Sequence, residues 1–448
     1  MKLNVFVNRK PVAILDSPDG FKHVLTYRPD ATENDFVSLL MPVRTQSWVW
    51  PTLHPFFQMS LPEGFLLTIL KEQLGPHLGA QPLDLLAVVG ANTIGRVQVS
   101  ISEDLVNDGN PAFDLAGLLH GDNSPAAFAA LVREYARSGV SGVVPKFLTP
   151  ETEVRLRKAS LITDRHIIKG SSDRLPFVAL NEHLCMEVAR RTGYPTAHTE
   201  VSDDGQALVV ARFDIEPATA KRLGFEDACS LLGLPPEDKY KSTWERVARL
   251  TREFVFEGNV RAAQEQLAVT LMLAYALGNA DCHTKNLGYL YTSMQDVRVA
   301  PIYDMLSIRV YDFYADNPPG MFIDGRKSWT PGKALWRVLQ QNFGIEPKQQ
   351  REIADKVTTA MSGVVPELIH RVTHTPGFRA IGTRMLWEWH RGLRRLDDRI
   401  SVPVLDIVAQ ATAAGITQVS PPTKDVPEQL GESTLLASRR RKRPTPAS

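Results

Sequence analysis

The feature that most constrains this chain is an abrupt change of chemistry at residue 278. Leu267 to Leu277 is the longest apolar stretch, broken only by Thr270 and Tyr275. It is followed at once by Gly278-Asn279-Ala280-Asp281-Cys282-His283-Thr284-Lys285-Asn286. The apolar run is about half of the roughly 20 residues that a membrane crossing needs, so it predicts a buried helix. Glycine is a natural helix stop, and the segment behind it carries more polar side chains than a helix-to-strand connection needs. A buried helix requires a core around it. The 448 residues, 43% hydrophobic and 23% charged, are enough for two or three globular domains without disulfide staples. A net charge of +1 excludes a protein that works through bulk electrostatics.

Within the polar segment, Asp281 and Asn286 lie five positions apart. Protein kinases use this spacing in a catalytic loop, where the Asp accepts the substrate hydroxyl proton and the Asn holds magnesium. Magnesium favours oxygen ligands and is usually held by one or two side chains plus phosphates. Asp304, in Ala300-Pro301-Ile302-Tyr303-Asp304, follows β-like residues and is placed to supply the second ligand. On a loop an Asp or Asn also serves as a cap or turn former. The pair therefore gains its weight from the ordered company of His283, Lys285 and Asp304.

A kinase also needs a phosphate loop and a strand lysine. Ser138-Gly139-Val140-Ser141-Gly142-Val143-Val144-Pro145-Lys146 is a small-residue loop entering a β-like run, and Lys169 ends the run His166-Ile167-Ile168. The loop alone reads equally as a hairpin turn. Glu182, early on the next helix, could orient Lys169. Arg212-Phe213-Asp214 falls where a hinge between two lobes would meet adenine and ribose.

The pattern along the chain predicts an α+β fold. Residues 1–105 read as a β-rich module, with alternation at Leu3, Val5 and Val7, a turn at Asp16 to Gly20, a helix from Phe65 to Gln73 and a strand from Ala91 to Ile101. Residues 106–220 read as the smaller lobe, with β-like runs Val143 to Leu148, His166 to Lys169 and Ala207 to Phe213 around a helix from Leu180 to Arg191. Residues 221–415 are mainly helical: Trp244 to Phe256, Ala262 to Leu277, Pro347 to Met361 and Arg379 to Asp397, with a β-like interruption between Leu287 and Ile302. Residues 416–448 form a polar tail ending in Arg439-Arg440-Arg441-Lys442-Arg443, expected to be disordered. Cys185, Cys229 and Cys282 lie far apart and form no C-x-x-C pair. With no apolar segment at the N-terminus, they lead to the expectation of a cytoplasmic protein that is not membrane-bound.

These segments together resemble the HipA family of serine/threonine-kinase toxins, whose catalytic core is similar to phosphatidylinositol kinases. The resemblance rests on His54-Pro55-Phe56-Phe57, Leu61-Pro62-Glu63-Gly64, Asp84 to Gly90, Ser141 to Lys146, Ile167-Ile168-Lys169 and Asn181-Glu182. It continues through Ala211-Arg212-Phe213-Asp214, Glu226-Asp227, Gly233-Leu234-Pro235-Pro236, Lys239-Tyr240, Gly278 to Asn286 and Pro301 to Asp304. It implies a two-lobed kinase that uses ATP and Mg²⁺. Asp281 would be the base, supported by His283 and Lys285, with Asn286 and Asp304 on magnesium. Ser141, Gly142, Val143, Lys146 and Lys169 would face the phosphates, Ala211 and Phe213 the adenine, and Asp214 the ribose. It further implies an aminoacyl-tRNA synthetase as phosphorylated substrate, autophosphorylation of the loop at Ser141, and a HipB-like helix-turn-helix antitoxin that links the kinase to DNA. Gly139 stands at the first of the two positions where relatives carry the modified serine.

Two other readings compete. A metal-dependent nuclease would use Asp281, His283, Lys285 and Asp304 but leaves Lys169 and the small-residue loop unexplained. A non-catalytic corepressor scaffold would keep the fold and clamp a DNA-binding partner. The basic tail could add a direct phosphate-backbone contact, and Gly325-Arg326-Lys327-Ser328-Trp329 could touch substrate or form a solvated hairpin.

Overall fold

The computed structural model describes residues 1–61, 81–91, 93–105, 114–128, 130–131, 159–163, 165–216, 218–396, 399–417 and 419. The small-residue loop with Ser141, Gly142, Val143 and Lys146, the run Val143 to Leu148, the helix from Phe65 to Gln73 and the basic cluster lie outside these residues.

Alternating apolar residues at the N-terminus form an antiparallel sheet of β1 (Lys2–Val7), β2 (Lys10–Asp16), β3 (His23–Tyr27), β4 (Trp48–Trp50) and β5 (Val97–Ser100), in the order β4-β3-β2-β1-β5. Asn8 and Arg9 both have positive φ and close the two-residue β1–β2 hairpin, in which Val7 pairs with Lys10. Leu3, Val5, Val7, Val12, Ala13, Leu15 and Leu25 pack beneath it with α1 (Pro55–Gln58) and α2 (Pro82–Val89). The last strand is shorter than expected. Thr93 to Arg96 leave the sheet and meet the rest of the molecule instead.

After α3 (Leu115–His120), the smaller lobe is built on a four-stranded antiparallel sheet, β6 (Ala159–Ile162), β7 (His166–Gly170), β9 (Ala207–Ala211) and β8 (Thr199–Val201), in that spatial order. Its helix α4 (Val178–Arg191) buries Val178, Leu180, Leu184, Cys185 and Val188. The larger lobe begins with β10 (Gly224–Asp227) and α5 (Ala228–Leu231), then α6 (Trp244–Phe254) and α7 (Val260–Leu277). A small sheet, β10-β11-β12, pairs β10 with β11 (Gly288–Tyr291) and β11 with β12 (Arg298–Val299). Helices α8 (Lys333–Gln341), α9 (Pro347–His374), α10 (Arg379–Arg394) and α11 (Ile407–Ala413) complete it. All of Leu267 to Leu277 is buried in α7. Helix α9 runs 13 residues past its expected end, through Pro366, because Val364, Val365, Leu368 and Val372 are buried on it. No helix among the described residues is long and apolar enough to cross a membrane.

Buried polar groups join the N-terminal module to the larger lobe. Arg96 donates to the carbonyls of Thr292 (2.9 Å) and Phe36 (3.0 Å), and its guanidinium lies over the Phe36 ring. Glu226 on β10 accepts from Ser38 Oγ (2.8 Å), Leu39 N–H (2.7 Å) and Tyr291 OH (2.9 Å).

Candidate active site

Helix α7 ends on Gly278, whose φ of 68° and N–H to Ala274 O turn the chain sharply. A side chain there would meet Glu388 at 2.5 Å. Glycine meets both demands, and the turn delivers the polar segment to the junction of the lobes. Buried Asn279 holds the entry, its Oδ1 accepting the Asp281 N–H at 3.0 Å. Asn286 Oδ1 accepts the His283 N–H at 3.0 Å, which fixes the loop's exit.

Lys169 on β7 reaches across the lobes. Its Nζ donates to Glu182 Oε1 on α4 at 2.6 Å and to Asp304 Oδ1 at 2.7 Å. Glu182 is buried, and Lys169 and Asp304 are each about one-fifth exposed, so their attraction is only partly screened by water. The other oxygen of Asp304 accepts from Asn286 Nδ2 at 2.5 Å. Asp304 has a φ of 58°, a left-handed conformation uncommon for a residue other than glycine. Asp281 accepts a hydrogen bond from Tyr240 OH, and His283 Nε2 stands 3.9 Å from the same oxygen. Cys282 is fully buried beside Asp281 and Asp304, and burial with those two charges pushes its thiol far above the ordinary range. Lys285 contributes its carbonyl to Tyr303 OH at 2.7 Å.

Five residues predicted from sequence, Lys169, Asp281, His283, Asn286 and Asp304, thus converge, with Glu182 beside them. Phe213 is close by: its ring packs on Tyr303, next to Asp304, at 5.2 Å. Ala211 ends β9, half-buried and paired with His166. Asp214 departs from expectation. It is 1% exposed, its two oxygens accept from Arg212 at 3.0 and 2.6 Å, and Oδ2 also accepts from Gly95 N–H at 2.7 Å. Arg212 donates onward to Thr93 O at 3.1 Å. The pair is a strut between the hinge and the N-terminal sheet, and burial takes Asp214 away from a ribose. Tyr240, part of the Lys239-Tyr240 segment of the resemblance, carried no assigned role in sequence; it lies 41 residues from Asp281 and no local spacing marks the contact.

Asp304 and Asn286 stand side by side near a strand lysine, Asn286 with its Nδ2 on Asp304, and a carboxylate and an amide oxygen are donors of the kind that a hard cation such as magnesium suits. Among the described residues no group of three or more His, Cys, Asp or Glu forms a metal cage.

A small antiparallel β-lobe, a helical lobe and a lysine–glutamate pair facing a polar loop define the kinase class of fold. The family profile of the HipA-like C-terminal domain matches residues 138–365, and that of the HipA N-terminal domain matches residues 3–100. The chain belongs to the HipA family. Y4mE of Sinorhizobium fredii, provisionally named a kinase, is 29% identical over 349 residues, covering 73% of this chain and 82% of that protein. A Haemophilus influenzae protein, also provisionally named a kinase, is 29% identical over 161 residues, 33% of this chain and 46% of its own length. The fold matches HipA of Shewanella oneidensis, solved with HipB and operator DNA, with a TM-score of 0.62 and 18% identity. The match covers 90% of this chain and all of that one.

Proposed function

We propose that this chain is a HipA-type protein kinase that transfers the γ-phosphoryl group of ATP to a serine or threonine hydroxyl. The observation that carries the reading is the three-way contact of Lys169 with Glu182 and Asp304. It ties a β-lobe cation, its helix partner and a carboxylate of the other lobe into one site, and a nuclease would have no use for that arrangement.

In this reading Asp281 accepts the proton of the attacking hydroxyl as a new oxygen–phosphorus bond forms. The bond from the γ-phosphorus to the bridging oxygen breaks, and ADP leaves with that electron pair. Lys169, steered by Glu182, holds phosphate oxygens in line. Asn286 and Asp304 would hold magnesium, which would offset negative charge on the phosphates. His283 and Asn279 keep the loop rigid, so the base is positioned before substrate arrives. Ala211 and Phe213 receive the adenine, and the loop with Ser141, Gly142, Val143 and Lys146 covers the phosphates.

The family supports a finer reading: a cytoplasmic toxin that phosphorylates an aminoacyl-tRNA synthetase, is silenced by phosphate on Ser141, and is held by a HipB-like antitoxin. The Shewanella protein's capture with HipB and operator DNA supports the last of these. The test is to incubate the chain and its Asp281→Asn variant with Mg-ATP and a cell lysate, and to map the new phosphosites. Phosphate on Ser141 and on one dominant foreign serine or threonine, absent from the variant, is the expected result. Equal labelling by both proteins would overturn the reading.

A further inference from the structure

Tyr240 and the residue before it meet the loop that carries Asp281 through backbone, ring and hydroxyl, and Lys327 holds Tyr240 from outside that loop. The carbonyl of Lys239, just before it, accepts from Thr284 Oγ1 at 2.9 Å, and Thr284 is a fully buried residue of that loop. The carbonyl of Tyr240 itself accepts from Lys327 Nζ at 2.8 Å. Its ring stands edge-on to His283, with centroids 4.9 Å apart and planes at 78°. Its hydroxyl donates to Asp281 Oδ1.

Lys327 is placed unusually for an ammonium. It is part-buried, and burial lowers its pKa. Among the described residues no carboxylate pairs with it. It meets the carbonyls of Tyr240 and Gly320 (2.7 Å) and the ring faces of Phe322 at 4.7 Å and Tyr240 at 5.8 Å. Gly320 lies flat on the backbone of the Asp281 loop, where an added Cβ would fall 2.1 Å from Cys282 O. One ammonium therefore joins two segments that flank the same loop, one beneath Cys282 and one carrying Tyr240.

We propose that Tyr240 is a positioning residue for Asp281 and that Lys327 holds Tyr240 in place. The inference rests on Asp281 being the base. A carboxylate on a loop can turn about two side-chain bonds, whereas proton abstraction needs it within hydrogen-bond reach of the attacking hydroxyl. A hydroxyl donor on one oxygen, anchored through a ring and a twice-held backbone, stops that rotation. A phenol suits the task because near neutral pH it keeps its proton and acts as a donor to a carboxylate. The segment Gly325 to Trp329 accordingly serves the site through Lys327, from behind the base, and need not touch substrate to matter.

The test compares the full chain with Tyr240→Phe, Lys327→Met and Asp281→Asn. ATP turnover with water as acceptor gives kcat and KM, self-labelling with γ-labelled ATP gives transfer, and the Mg-ATP-induced shift in Tm reports binding. Tyr240→Phe keeps the ring against His283 and removes only the hydroxyl. It should lower kcat by about 10- to 100-fold, the scale of a misplaced catalytic group, with KM and the Tm shift within about twofold of the parent. Lys327→Met should lower kcat by a smaller factor in the same pattern. An unchanged kcat in Tyr240→Phe overturns the proposal, and so does a parallel loss of kcat, ATP affinity and Tm shift. Full activity in Asp281→Asn would instead overturn the base assignment beneath it. An inactive Asp281→Asn beside a fully active Tyr240→Phe removes the tyrosine alone.

Discussion

Glu226 makes the joint between the N-terminal sheet and the helical lobe sensitive to pH. The carboxyl is fully buried, and burial raises its pKa from 4.5 to about 7 despite three hydrogen bonds that favour the charged form. The sign follows from proton counts. Between pH 4.5 and 7 the folded chain keeps this proton and the unfolded chain releases it, so stability falls as pH rises through that window. Above pH 7 both forms are ionised and the contribution stays lost. The rise from 4.5 to about 7, at about 1.4 kcal/mol per pH unit, gives roughly 3 kcal/mol. Glu226→Gln removes the titration and mimics the protonated acid. Its Oε1 can accept from Leu39 N–H and Tyr291 OH, while its amide donates to Ser38 Oγ. The variant should come within about 1 kcal/mol of the parent near pH 5 and exceed it above pH 7 by up to about 3 kcal/mol. Urea unfolding of both proteins from pH 5 to 8, followed by tryptophan fluorescence, reads the difference directly. Other titrating groups cancel in the comparison. A difference that stays flat across this range would refute the reasoning.

Two further substitutions separate scaffold from chemistry. Asp214→Asn strands the buried Arg212 guanidinium and should cost about 3–5 kcal/mol of stability. Limited proteolysis should then release the N-terminal sheet sooner, with KM for ATP little changed; a ribose contact would raise KM and spare stability. Gly278→Ala imposes a left-handed φ on alanine and drives its Cβ into Glu388, which Arg309 and Arg395 hold at 3.0 and 2.6 Å. It should lower stability by about 2–4 kcal/mol from strain and overpacking, measured as a fall in Tm, and reduce phosphoryl transfer with it.

What could be read from sequence was whatever the chain keeps close together. Asp281, His283 and Asn286 sit on one short loop, and the apolar run before them marks its helix. Lys169 and Asp304 could be placed because each ends a β-like run in the order a kinase needs. The strut was not legible, since Asp214 meets Gly95 across 119 positions and a carboxylate after a strand looks the same whether it faces a ligand or a backbone amide. The contact of Tyr240 with Asp281 was hidden for the same reason. Local rules also misjudged two boundaries. Burial of one face carries α9 through Pro366, and docking of Thr93 to Arg96 shortens β5.

The central claim is that Asp281 takes the proton in phosphoryl transfer. Its most direct test is the initial rate of phosphate incorporation from γ-labelled ATP with magnesium, for the parent and Asp281→Asn at equal, verified Mg-ATP occupancy. The account predicts a rate lower by about 10² to 10⁴-fold in the variant, or about 3–5 kcal/mol of barrier, with ATP still bound. Incorporation at the parental rate would contradict it.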